Sequence, residues 1–297
     1  MTSLAARPTL VRALADTTAP PSALSNIATI AHRELREAVG SRWFALYGLA
    51  FAALGLGVSY LSAASAGGAG LAGFGRTTAG LINLVLLVVP LMGLTAGAGA
   101  IAAERERGML AYLLAQPVTR IEVLLGKYIG LGAAMFATIV LGLGACAGVL
   151  AWKSGSTHPA TILWFAGLSV ALAMGMLSVG MLISTVARRA SVATGLAVFA
   201  WLVLVFVSDL GLMAGTLAFK LRIETLFVVS LLNPLQVFKM WSLHAVDTSL
   251  DVLGPAGLYA TEEVGAALHP LFAACLGAWI ILPLGAAATV FSRRSVV

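Results

Sequence analysis

ATILWFAGLSVALAMGMLSVGMLIST, residues 160–185, runs for 26 residues without one Asp, Glu, Lys or Arg. As a helix rising 1.5 Å per residue it would cover about 39 Å, more than the roughly 30 Å hydrocarbon core of a bilayer. A helix of a soluble core would keep a polar face, and this stretch has none. Comparable windows occur at Trp43–Leu61, Ala79–Ile101, Leu124–Trp152, Val192–Met213 and Leu271–Phe291. With the opening stretch they predict an all-α polytopic membrane protein of six transmembrane helices.

Composition agrees. Of 297 residues 60% are hydrophobic and only 10% charged, with a mean hydropathy of +0.99, whereas soluble domains carry about a quarter charged residues. So few charges could not cover a water-exposed surface. The net charge of +6 does not point to nucleic acid, because the basic residues sit at span ends and form no patch interleaved with aromatics. Six spans put both termini on one side. Of the 18 Lys and Arg, only Arg76, Lys153, Lys220, Arg222 and Lys239 fall opposite, leaving 18 − 5 = 13 beside the termini. The positive-inside rule then makes both termini cytoplasmic. Residues 1–23 lack a continuous apolar core and read as a loose cytoplasmic tail; residues 24–297 form a single domain.

Glycine recurs at four-residue spacing in Gly93/Gly97, Gly126/Gly130 and Gly211/Gly215, the spacing that lets helix backbones approach in lipid. In a chain with 32 glycines this implies ordinary packing and locates no dimer interface. Cys146 and Cys275 each lie within an apolar stretch, so no disulfide framework or thiolate site is indicated. Met174, Met176 and Met181 cluster in the fourth span, with Met213 and Met240 further along. Only Met174 and Met181 share a helical face, and His158, His244 and His269 stand at unrelated positions. These are read as packing methionines, with no metal site. H-E-x-x-H and paired intramembrane carboxylates are absent, which leaves an enzyme little support.

Before the first span, LSNIATIAHRELREAVGSRW (24–43) places Ile27, Ala31, Leu35 and Ala38 on one face and Arg33, Glu34, Arg36 and Glu37 elsewhere, an amphipathic helix for the membrane surface. Between spans two and three, Glu104-Arg105-Glu106-Arg107-Gly108 precedes the apolar Met109–Leu114, and Pro117 ends that turn. Thr119 and Glu122 then stand at capping-box spacing, so the third span starts there. The result is a short helical elbow, polar enough to meet a soluble partner and joined to two spans.

Between spans five and six lies the longest non-spanning stretch, Ala214–Pro270. Within it Asn233-Pro234 suits an N-cap followed by proline at the first helical position. Leu235, Phe238 and Trp241 would line one face of a short helix, with Gln236, Lys239 and Ser242 largely off it. A re-entrant or surface-lying helix is expected, offering Asn233, Pro234, Phe238, Lys239 and Trp241 to an outer partner or simply packing on the bundle. Asp209, near the outer end of span five, reads as an interfacial carboxylate.

The run from Glu104 to Lys127, E-R-E-R-G-M-L-A-Y-L-L-A-Q-P-V-T-R-I-E-V-L-L-G-K, resembles the signature of type-2 ABC transporter permeases, and R-E-L-R-E-A-V-G-S-R-W (33–43) resembles their N-terminal interface helix. The likeness covers nearly the whole chain after residue 24. It is greatest to the branch serving maturation of the copper sites of nitrous oxide reductase, through the glycine-rich loop after span one, Leu231–Phe238 and Trp279–Leu284. The longer N-terminal tail departs from the pattern. The resemblance implies a homodimer carrying two copies of a separate cytoplasmic ATPase and, for that branch, a periplasmic β-helix protein. It makes Arg33, Glu34, Arg36, Glu104, Arg105, Glu106, Arg107, Gly108, Pro117 and Arg120 the ATPase-coupling residues. ATP and Mg would bind the partner, since this chain's only Gly-Lys pair, Gly126-Lys127, is followed by Tyr128 and has Ile121 where a P-loop requires glycine. A drug, lipid or glycan exporter of the same family, or an energy-independent membrane scaffold or enzyme, are the alternatives.

Overall fold

The structure, a computed structural model, describes residues 22–65, 70–154, 159–217, 222–244 and 265–293. The N-terminal tail, His158, and residues 245–264 of the segment between spans five and six lie outside them. The described residues are helical, with no strand among them. In chain order the helices are α1 (Ala23–Val39), α2 (Arg42–Ser65), α3 (Gly70–Glu106), α4 (Met109–Leu114), α5 (Arg120–Ser154), α6 (Pro159–Val186), α7 (Ala190–Leu217), α8 (Ile223–Leu231), α9 (Pro234–His244) and α10 (Leu268–Arg293). Six are long and apolar enough to cross a membrane: Arg42–Leu61, Ala79–Glu106, Arg120–Val149, Ala160–Val186, Ala190–Val207 and Leu268–Arg293.

Each of the six windows overlaps one of these helices, but several boundaries differ, the fifth ending at Val207 instead of Met213. The second runs on to Glu106 instead of Ile101, and the third starts at Arg120 instead of Leu124. Hydropathy marks where lipid ends; a helix ends where its backbone is capped. At 28 residues the second span is about 42 Å long, so it carries its charged end past the hydrocarbon.

α3 and α6 form the central pair. A Cβ at Gly97 would stand 2.6 Å from the Leu177 carbonyl oxygen, and one at Gly180 would stand 2.5 Å from that of Leu94. Only glycine permits this approach, which supplies contact where lipid gives no hydrophobic drive. Met176 and Met181 are fully buried there. The Gly126/Gly130 pair has a different use. A Cβ on Gly126 would lie 2.7 Å from Ile30 Cβ, and one on Gly130 would lie 2.5 Å from the Ala31 carbonyl oxygen. These glycines seat α1 along α5. Part of the apolar face of α1 thus packs on protein, with Ala38 buried and Ile27, Ala31 and Leu35 half-buried.

α8 and α9 meet at a bend of 107°. Asn233 Oδ1 accepts from Leu235 N at 3.0 Å, capping α9 ahead of Pro234, while its amide donates to the Leu204 carbonyl of α7 at 2.9 Å. α9 is buried nearly all round, Gln236 and Ser242 included. This corrects the one-sided helix expected from sequence: the hairpin re-enters the bundle, so its polar positions also face protein.

Replacing Gly130 by Val should displace α1 and cost about 1–3 kcal/mol, seen as a lower thermal midpoint in detergent and faster proteolysis within α1. Gly144→Val, which meets nothing within 4 Å, should leave both unchanged.

Candidate functional site at the charged elbow

The Glu104–Arg107 run closes α3, and Gly108, with φ +73, turns the chain sharply into α4. A left-handed residue at this point favours glycine, since a Cβ would meet the following carbonyl. α4 stops at Leu114, before Pro117, and Thr119 and Glu122 form the expected capping box at α5. Glu122 N donates to Thr119 Oγ1, and Thr119 N donates to Glu122 Oε2, both at 3.3 Å.

Glu104, Arg105 and Glu106 each reach a different element. Glu104 pairs with Lys127 of α5 at 2.8 Å, and Lys127 also binds Glu34 of α1. Lys127 is only 2% exposed. Arg105 donates to the carbonyl of Ala187 at 2.7 Å, just past the end of α6. Glu106 accepts from Ala190 N at 2.9 Å, at the start of α7. Arg120 donates to Phe291 O at 3.1 Å and Ser292 O at 3.2 Å, at the end of α10. Cations at helix C-termini and an anion at an N-terminus oppose the macrodipoles. The elbow is thereby bonded to α1, α5, α6, α7 and α10 together.

α1 is held a second way. Asn26 Nδ2 donates to Glu122 Oε2 at 2.9 Å and to the Pro117 carbonyl at 3.4 Å. Arg33 bonds Glu37 at 2.7 Å and reaches within 4.0 Å of Glu104. Burial pushes the Glu34 carboxyl up despite the pull of Lys127, whereas the bond to Glu37 holds Arg33 firmly cationic. Two carboxylates share one lysine, with Arg33 as the nearest further cation, and Glu104 Oε2 is buried without a hydrogen-bond partner. Carboxylates stripped of water need such cations close by.

Sequence reasoning placed Glu34 away from the packed face of α1; the structure turns it inward to meet Lys127. It missed Lys127 and Asn26 as site residues altogether. A lysine three residues into the apolar window Leu124–Trp152 already asks for a counter-charge. Arg36, Arg107, Gly108 and Pro117 are exposed. Of the proposed outer docking residues, Asn233, Pro234, Phe238 and Trp241 are buried within the chain and Lys239 is half-buried. Four of these five therefore position the hairpin and leave little side chain for a partner to touch. Met174, by contrast, stays a packing residue, its sulfur filling the space beside Gly132. His244 and His269 do converge, with rings 4.9 Å apart, and Trp241 Nε1 donates to His269 Nδ1 at 2.9 Å.

The family model described as "ABC-2 family transporter protein" matches residues 28–296. This chain belongs to the ABC-2 transporter family. Among curated relatives it is 31% identical to "Probable ABC transporter permease protein NosY" of Stutzerimonas stutzeri, over 91% of this chain and 99% of that protein. It is 30% identical to the protein of the same name from Pseudomonas aeruginosa, over 74% of this chain and 82% of that one. The ABC-2 membership fits a multi-pass protein whose charges concentrate at one elbow. Both relatives are named as probable ABC transporter permease proteins.

Removing Lys127 leaves two carboxylates facing each other. Lys127→Met should destabilise the chain by about 3–5 kcal/mol, read as a fall in thermal midpoint, and adding Glu34→Gln and Glu104→Gln to it should recover most of the loss.

Proposed function

We propose that the chain is the membrane permease of an ATP-driven transporter, in which closure of a separate ATPase moves the elbow and the elbow moves the spans. The observation that carries this reading is the bonding of three consecutive signature residues, Glu104, Arg105 and Glu106, and of their neighbours to five other helices. A soluble partner pressing on α4 would pull on α6, α7 and α10 through Arg105, Glu106 and Arg120, and on α1 and α5 through Glu104. Nearly end-to-end similarity to proteins named NosY permeases supports a narrower form of it. In that form a homodimer sits in the bacterial inner membrane with both termini cytoplasmic, two ATPase subunits hold ATP and Mg below, and a periplasmic β-helix protein stands above. Together they serve assembly of the copper sites of nitrous oxide reductase. The α8–α9 hairpin would relay movement to that outer partner, with Asn233, Pro234, Phe238 and Trp241 setting its position in the bundle.

Affinity purification of the tagged chain from native membranes, with mass spectrometry of what is bound, tests the assignment. An ATPase together with a periplasmic β-helix protein is the expected result. An ATPase alone would favour an exporter of a drug, lipid or glycan, and no ATPase where other membrane complexes survive would overturn the permease reading.

Reversing Glu104 and Glu106 to lysine should leave membrane insertion intact but uncouple ATP hydrolysis from transporter function. Unchanged coupling in reconstituted vesicles would refute the role given to the elbow.

A further inference from the structure

α1 and α2 both run alongside α5 and in its direction, and their registers bring two arginines to one height. Asn26 meets Glu122, and Cβ atoms added at Gly126 and Gly130 would meet Ile30 and Glu34. Each of these pairs is 96 apart in sequence (122 − 26, 126 − 30, 130 − 34), so Arg36 stands level with residue 36 + 96 = 132. Along α2, Cβ atoms at Gly48, Gly142 and Gly55 would meet Thr138, Phe51 and Cys146. Those pairs are 90, 91 and 91 apart (138 − 48, 142 − 51, 146 − 55), which puts Arg42 level with residue 132 or 133. The break at Gly40-Ser41 therefore leaves Arg36 and Arg42 at the same depth, one on each helix. With 3.6 residues per turn, both lie on the sides of their helices turned away from α5. Both are exposed, and among the described residues neither guanidinium has a hydrogen bond or ion pair. Arg33, Arg105 and Arg120, by contrast, are all bonded.

The first span, Arg42–Leu61, has 20 residues and is about 30 Å long, the thickness of the hydrocarbon, so Arg42 marks one edge of it. Past that edge Trp43, Leu46 and Leu49 are exposed, and Val39, exposed as well, carries the apolar surface back onto α1. Guanidiniums bind phosphate oxygens in bidentate pairs, and Trp favours the boundary between headgroup and hydrocarbon. A soluble protein could reach the arginines, but Leu46 and Leu49 lie inside the span. Glu37, the carboxylate next to Arg36, is taken by Arg33. Two cations without a protein anion favour a headgroup of net negative charge over a zwitterionic one, whose own ammonium would be held beside them. We propose that the α1–α2 break binds one anionic phospholipid from the leaflet on the N-terminal side, its phosphate between Arg36 and Arg42 and its acyl chains along Val39, Trp43 and Leu46. The lipid clamps α1 to the first span from the side opposite α5, so α1 is held by protein on one face and by a headgroup on another. This inference needs only that the chain spans a membrane and does not rest on the ATPase reading.

Native mass spectrometry of the intact chain, purified in detergent and titrated with phosphatidylglycerol or phosphatidylcholine, tests the site. Wild type should retain phosphatidylglycerol on the order of tenfold more strongly. Arg36→Gln/Arg42→Gln should lose that preference while binding phosphatidylcholine as before, and Arg36→Lys/Arg42→Lys should keep most of it. The single variants Arg36→Gln and Arg42→Gln should each weaken it about threefold, which keeps the test open if the double variant does not fold. Arg188→Gln/Arg189→Gln removes the same charge from an exposed turn elsewhere and should keep the preference in full. Its loss there would assign the preference to overall charge and overturn the site. An unchanged preference in the Arg36/Arg42 glutamine variants would overturn it as well. So would a glutamine variant that is monomeric where wild type is dimeric, because the arginines would then face a second copy of the chain.

Discussion

A lysine buried to 2% exposure inside a membrane protein must be neutralised where it stands. Lys127 sits seven residues into α5, and the two carboxylates that meet it come from α1 and α3. Its demand for counter-charge draws an N-terminal helix, the end of the second span and the beginning of the third into one place. The small residues make this possible: without Gly126 and Gly130 the backbone of α1 could not approach closely enough for Glu34 to reach Lys127. Electrostatics fixes the register, and glycine permits the distance.

That junction turns the loop between two spans into a mechanical part. An ordinary connection between helices is free to vary. Here the connecting residues are bonded at both ends and sideways, through Arg105, Glu106 and Arg120, to the termini of three more helices. Movement at α4 therefore cannot be absorbed locally. At the other end the bend between α8 and α9 is equally constrained, since Asn233 both caps α9 and holds the backbone of α7. The protein has two stiff joints with long apolar helices between them, an arrangement suited to transmitting a push.

Much of this was legible in the sequence and some was not, for identifiable reasons. Apolar windows pointed to six candidate spans because lipid acts on composition directly. The capping box at Thr119 and Glu122 and the cap at Asn233 were readable because each is a local bond. Span ends were misjudged, since α3 continues through Glu104–Glu106 once those side chains find partners on other helices. The inward turn of Glu34, the task of Gly126 and Gly130, and the site role of Lys127 all depend on contacts between residues about 90 apart. Helical periodicity put Gln236 and Ser242 off the packed face of α9 because it assumes one dry face. A hairpin folded back into a bundle has no wet face.

If the junction moves as one body, pinning α1 to α5 should be harmless. Asn26 and Glu122, in direct contact, can be replaced by cysteine in a chain whose Cys146 and Cys275 are serine, then joined by a short, reducible bifunctional thiol reagent. ATP-driven activity of the assembled complex should match that of the unlinked chain. Loss of activity on linking, restored by reduction, would show that α1 must separate from α5 during the cycle and would contradict a rigid junction.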